Sequence, residues 1–134
     1  MNILLDSNIL LWSLFEDEQL SAKTKNLISN SSNTIYVSVV SLWEIEIKHQ
    51  KHKELMPYSF EDIYKIIDEH TDYIFLDLCS EQIGCLKDIM KQNIHSDPFD
   101  QMLLSVAKKE NVRFLTNDSV LKKYQSDNLE VILN

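Results

Sequence analysis

Almost nothing in this sequence can punctuate a series of hairpins. Its 134 residues include a single glycine, Gly84, and two prolines, Pro57 and Pro98. Two-residue hairpin turns depend on residues that accept positive φ, glycine above all, so a β-sandwich would have little to turn with. Helices and crossover connections are favoured instead. The length suits one domain over residues 1–134, with no room for a second independent core.

Apolar periodicity and capping residues place the elements. Ile3–Asp6 reads as a short buried strand, and Ile9–Phe15 as a helix after Ser7 or Asn8. Ser21 caps a second helix to about Ser29, and the β-branched and aromatic run Thr34–Val37 is a strand. Ser38 caps a helix to about Lys51, with Val39, Val40, Trp43 and Ile47 expected on its buried stripe. Ser59 opens a helix carrying Phe60, Ile63, Tyr64 and Ile67, and Tyr73–Leu78 follows as a strand. Ser80–Gln92 is expected to be one helix with Ile83, Leu86 and Met90 inside. Pro98 suits the first turn of a helix to about Glu110. Val112–Thr116, a short helix at Ser119–Tyr124 and a last strand at Glu130–Leu133 complete the chain. Strands alternating with helices predict a three-layer α/β/α domain around a central, mostly parallel sheet.

Net charge is −8, which counts against a large sequence-independent DNA-binding surface, because such surfaces gain affinity by releasing counterions from phosphates. A small site that grips one or two phosphates through a bound cation remains compatible, since a divalent ion reverses the local sign. No apolar run approaches the roughly 20 residues of a membrane span, and the opening Asn2-Ile3-Leu4-Leu5-Asp6 lacks the basic region and long apolar core of a signal peptide. Cys79 and Cys85 form no zinc or redox spacing and read as small hydrophobes in a reducing, cytoplasmic setting.

In a parallel sheet, ligands bind beyond the carboxyl ends of the strands. Asp6 follows Ile3-Leu4-Leu5, and Asn117-Asp118 follow Arg113-Phe114-Leu115-Thr116, so these acids belong to that edge. Glu44 lies two turns into the helix after Thr34–Val37, and Asp97 and Asp100 open the helix before Val112. Four to five acids from separate segments can therefore converge, and hard cations such as Mg²⁺ want such oxygen ligands. Each acid also has a plainer use. Asp6, Asp97 and Asp118 are good N-caps, Asp100 suits the positive end of a helix dipole, and the helical wheel does not choose between Glu44 and Glu46.

The order of the segments carries more than any one of them. Leu4-Leu5-Asp6-Ser7-Asn8-Ile9-Leu10-Leu11-Trp12, Ser38-Val39-Val40-Ser41-Leu42-Trp43-Glu44-Ile45, His95-Ser96-Asp97-Pro98-Phe99-Asp100-Gln101-Met102-Leu103-Leu104 and Leu115-Thr116-Asn117-Asp118 resemble, in sequence, the four motifs of PIN-domain nucleases. The match is closest to VapC-like toxins of type II toxin–antitoxin systems and runs from residue 2 to about residue 121. The resemblance implies that Asp6, Glu44, Asp100 and Asp118 are the catalytic, metal-ligating acids, and it prefers Glu44 to Glu46. It implies Asn8, Asp97, Thr116 and Asn117 as polar neighbours that contact substrate, with Asp97 open to a purely capping role. It further implies Mg²⁺ (or Mn²⁺) as cofactor, endonucleolytic cleavage of RNA by metal-activated water, a homodimer, and a cognate antitoxin that blocks the acids with a basic side chain.

Two departures stand out. Ser7 replaces a common threonine and keeps the hydroxyl; Ser96 replaces a frequent basic residue, which leaves Lys48 as a substitute cation if it is more than a solvated side chain. His95 could approach a substrate, but reads first as a residue at the start of a helix. The rival readings are a PIN nuclease of RNA processing and a non-catalytic PIN binding module. A response-regulator-like phosphotransfer domain lacks its paired acids and late lysine here.

Overall fold

The computed structural model describes residues 1–134. Five strands, β1 (Asn2–Leu5), β2 (Thr34–Ser38), β3 (Ile74–Leu76), β4 (Arg113–Thr116) and β5 (Val131–Leu133), form one sheet in the order β3-β2-β1-β4-β5. Every pairing is parallel, so the sheet is wholly parallel where the sequence suggests mostly so. Parallel neighbours are joined by crossovers and not by tight turns, which is why a chain with one glycine can build this sheet.

The crossovers carry α1 (Ser7–Phe15), α2 (Ala22–Ser29), α3 (Val39–Lys51), α4 (Phe60–His70), α5 (Ser80–Gly84), α6 (Leu86–Met90) and α7 (Pro98–Glu110), with a 3₁₀ segment at Ser119–Tyr124. Alternate strand residues face opposite sides of the sheet. Ile3, Leu5, Val37 and Leu115 pack with Ile9, Leu10, Ile63 and Ile67 on one face. Leu4, Phe114 and Val131 pack with Leu103, Val106 and Tyr124 on the other. Two apolar cores, one on each side of the sheet, make the three layers.

The helix starts are fixed by short polar side chains. Ser21, Ser38 and Asp97 each accept a backbone N–H within the first turn, and Ser59 forms a reciprocal capping box with Asp62. Such caps are legible as residue types, and the elements begin where they stand.

Three details differ from the sequence reading. The expected helix over 80–92 is two five-residue helices that meet at Cys85. Ile83 and Met90 are exposed there, while Ile89 and Gln82 are buried. A polar anchor sets that orientation: Gln82 donates its side-chain amide to Glu110, and its backbone carbonyl accepts the Ser105 hydroxyl of α7. On α3, Trp43 is 57% exposed, whereas Val40, Ser41, Leu42, Glu44 and Ile45 are buried. This helix packs against α1, α4 and α7 at once, so its buried arc is wider than a single stripe and takes in Glu44. Finally, Asp6 is not the last strand residue; β1 stops at Leu5 and Asp6 turns the chain into α1. No helix is long and apolar enough to cross a membrane.

Candidate active site

From β1 the chain proceeds outward through β2 and β3, then returns to lay β4 and β5 on the other side of β1. The connections leaving β1 and β4 therefore diverge, and the crevice beyond their carboxyl ends is the switch point of the sheet. Asp6 stands at its centre, its N–H donating to the Leu115 carbonyl of β4 at 2.9 Å.

The carboxylate of Asp6 is fixed at both oxygens. Oδ1 accepts the Ser7 N–H at 2.7 Å, which caps α1, and Oδ2 accepts the Thr116 hydroxyl at 2.6 Å. The Thr116 oxygen in turn accepts the Asp118 N–H at 3.1 Å, and Asp118 Oδ1 accepts the Val120 N–H at 2.9 Å. Glu44 reaches in from α3: its Oε1 accepts the Ser7 hydroxyl at 2.6 Å, and its Oε2 lies 3.3 Å from Lys48 Nζ. From α7, Asp97 Oδ1 caps the helix by accepting the Asp100 N–H at 3.0 Å, and Asp100 Oδ2 lies 2.9 Å from His95 Nε2.

These groups line one open cleft of about 490 Å³ that contains no hydrophobic side chain. Asp6, Glu44, Asp97, Asp100 and Asp118 all face it, together with Asn8 and Asn117, and Lys48 is the one lysine on its wall. Of the residues singled out from the sequence, seven of eight thus gather there. Thr116 does not: it is fully buried beneath the floor, where its hydroxyl ties Asp6 to the Asp118 backbone and cannot touch a bound molecule. Asp97 and Asp118 are helix caps and cleft-facing acids at once, so the two readings of each do not compete. Glu46 points elsewhere and accepts the Phe60 N–H at the start of α4.

The electrostatics follow from burial and crowding. Burial pushes the Asp6 carboxyl up to about 6, hydrogen bonds from Thr116 and Ser7 oppose the rise, and the charges of Asp100 and Glu44 reinforce it. Burial also raises Asp100, with the His95 hydrogen bond opposing and the Asp97 and Glu44 charges adding. A wall of carboxylates with one ammonium is short of positive charge. Its oxygen-rich donor set fits a hard divalent cation, which would supply that charge.

Ser7, Lys48, Ser119 and His95 also belong to this neighbourhood, and their sequence signals are weaker than those of the acids. Lys48 has a legible one in its four-residue spacing from Glu44 along one helix face. His95 heads the third of the four motifs and reads from sequence as a residue at the start of a helix; in the fold it stands two residues before the Asp97 cap of α7 and folds back onto Asp100.

The model of the PIN domain family matches residues 3–126, and the chain belongs to that family. Proteins with this domain are generally nucleases that use divalent metal ions. No curated protein sequence matches the chain. Solved structures share the fold at low identity. A chain of VapBC2 from Rickettsia felis, bound to a DNA fragment from its promoter, superposes with a TM-score of 0.72 at 19% identity, covering 99% of this chain and 98% of that one. A chain of DNA-bound VapBC from Salmonella typhimurium gives 0.69 at 14% identity, covering 98% and 97%. VapBC-5 of Mycobacterium tuberculosis, a toxin–antitoxin system, gives 0.66 at 14% identity, covering 99% and 98%.

Proposed function

We propose that this protein is a divalent-cation-dependent endoribonuclease and the toxin of a type II toxin–antitoxin pair, working in the cytoplasm as one domain over residues 1–134. The observation that carries the reading is the gathering of Asp6, Glu44, Asp100 and Asp118, from four separate segments, in one polar cleft at the switch point of a PIN fold. These four acids are the proposed ligands of Mg²⁺ or Mn²⁺. When bound, the cation supplies charge neutralisation and activation of water for attack on an RNA phosphodiester.

The remaining roles belong to the chain itself. Ser7 and Thr116 hold Glu44 and Asp6 in fixed rotamers, so the acids are aimed before any ligand arrives. Asn8 and Asn117 offer amide donors to a sugar or phosphate along the cleft wall. Lys48 compensates for Ser96: its ammonium sits where a phosphate oxygen could replace Glu44 as its partner. An antitoxin with an arginine or lysine would find in the same cleft a strong complement, and a homodimer would place two such clefts in one particle.

The test is growth. Induced expression of the wild type should arrest cells, and Asp6→Asn should not; co-expression of a short open reading frame adjacent to the gene should relieve the arrest. Equal arrest by both forms would remove the carboxylates from the mechanism.

A further inference from the structure

Beside the four acids stands a nitrogen donor. His95 Nε2 lies 2.9 Å from Asp100 Oδ2, and one donor atom each from His95, Asp100 and Asp118 falls within 4.8 Å of the other two. Donors about 2.1 Å from an octahedral cation are separated by about 3.0 Å when adjacent and about 4.2 Å when opposite, so side-chain shifts of about half an ångström bring this trio into one coordination sphere. The His95 backbone is also held in place from behind. The His95 N–H donates to the hydroxyl of buried Tyr124 at 2.9 Å, and the His95 carbonyl accepts the Gln101 side-chain amide at 2.7 Å. Both ties are to the His95 backbone and leave the ring free to face the two aspartates. It is 29% exposed, enough for a hydrated ion to reach it.

We infer that His95 is a metal ligand, completing with Asp100 and Asp118 a mixed nitrogen–oxygen site that favours a transition metal such as Mn²⁺ over Mg²⁺. The inference rests on the proposed cation-dependent activity and narrows its cofactor. Imidazole is a soft enough donor to discriminate between these ions: Mg²⁺ prefers all-oxygen shells, whereas later divalent metals gain from nitrogen. The same Nε2 is within hydrogen-bond distance of Asp100 Oδ2, and a cation held between the two would take the place of that contact, with the Nε2 lone pair as its donor.

The experiment is electron spin-echo spectroscopy of Mn²⁺ bound to the wild type, to the protein labelled with ¹⁵N-histidine, and to His95→Gln, with Mn²⁺ and Mg²⁺ affinities measured by titration calorimetry. The glutamine keeps a donor to Asp100. The expected result is a nitrogen modulation that changes with the histidine label and vanishes in His95→Gln. That variant should lose at least about tenfold in Mn²⁺ affinity and change little for Mg²⁺. Bound Mn²⁺ with no histidine-dependent modulation would overturn the assignment of His95 while leaving the cation-dependent activity standing. Absence of Mn²⁺ and Mg²⁺ binding to the wild type would overturn both.

Discussion

Replacing Asp6 by asparagine should make the metal-free protein more stable while removing its activity. The carboxyl is 7% exposed, and its pKa is raised from 3.8 to about 6. Two pK units correspond to about 3 kcal/mol by which the fold disfavours the charged form. Because the shift is upward, the protonated carboxyl stabilises the fold fully below pH 3.8, and that contribution is lost as pH rises through about 6. At neutral pH, the wild type therefore carries the whole penalty. Asparagine is neutral, can still cap Ser7 through Oδ1, and can donate through Nδ2 to Thr116. The replacement hydrogen bonds are weaker than those to a carboxylate, so a net gain of about 1–2 kcal/mol is expected, or roughly 3–6 °C in Tm. Thermal unfolding in EDTA, followed by circular dichroism near neutral pH and again near pH 5, reads this directly. The advantage of Asp6→Asn should shrink at the lower pH, where the wild-type acid is largely protonated. Saturating divalent cation should reverse the order, since a ligand at about 100 times its Kd adds about 2.7 kcal/mol to a fold that binds it. A variant less stable than wild type in EDTA, by the same margin at both pH values, would show that Asp6 acts as a helix cap and little else.

Other substitutions separate the supporting residues from the acids. Thr116→Val should destabilise the fold by about 1–3 kcal/mol in chemical denaturation, because it strands the buried Asp6 oxygen and the Asp118 N–H. Ser7→Ala should leave stability within about 1 kcal/mol yet lower RNA cleavage on the order of tenfold, since Glu44 loses the hydroxyl that aims it. Lys48→Gln should change unfolding by well under about 1 kcal/mol, because its pairing with Glu44 is half exposed, but should raise the KM for RNA. Leu103→Ala, in the core against the sheet, should cost about 2–5 kcal/mol without changing the chemistry of whatever remains folded.

Much of this arrangement is legible in the order of residues alone. Strand runs followed at once by acids, and serine or aspartate ahead of apolar helices, locate both the sheet edge and the helix starts. These signals are local, and local signals survive folding. The features that escape depend on partners distant in sequence. Trp43 has the spacing of a core residue, but the arc of α3 that faces α1, α4 and α7 leaves it outside and draws Glu44 in. The break at Cys85 reflects how Gln82 docks on Ser105 and Glu110, which the periodicity of 80–92 does not encode. The family resemblance implies Thr116 as a substrate contact beside Asn117 and Asp118; as the last residue of β4 it is fully buried, its hydroxyl taken up by Asp6 and the Asp118 N–H. The choice of Glu44 over Glu46 comes from family resemblance. In the fold, Glu46 is engaged at the start of α4, and Glu44 is the one that lines the cleft.

The most direct measurement is cleavage of total cellular RNA by purified protein, with divalent cation or with EDTA, comparing wild type with Asp100→Asn. Discrete fragments are expected from the wild type only when Mg²⁺ or Mn²⁺ is present, and none from the variant although it is folded. Cleavage by the wild type in EDTA, or equal cleavage by the two proteins, would contradict a carboxylate-held cation as the source of the activity.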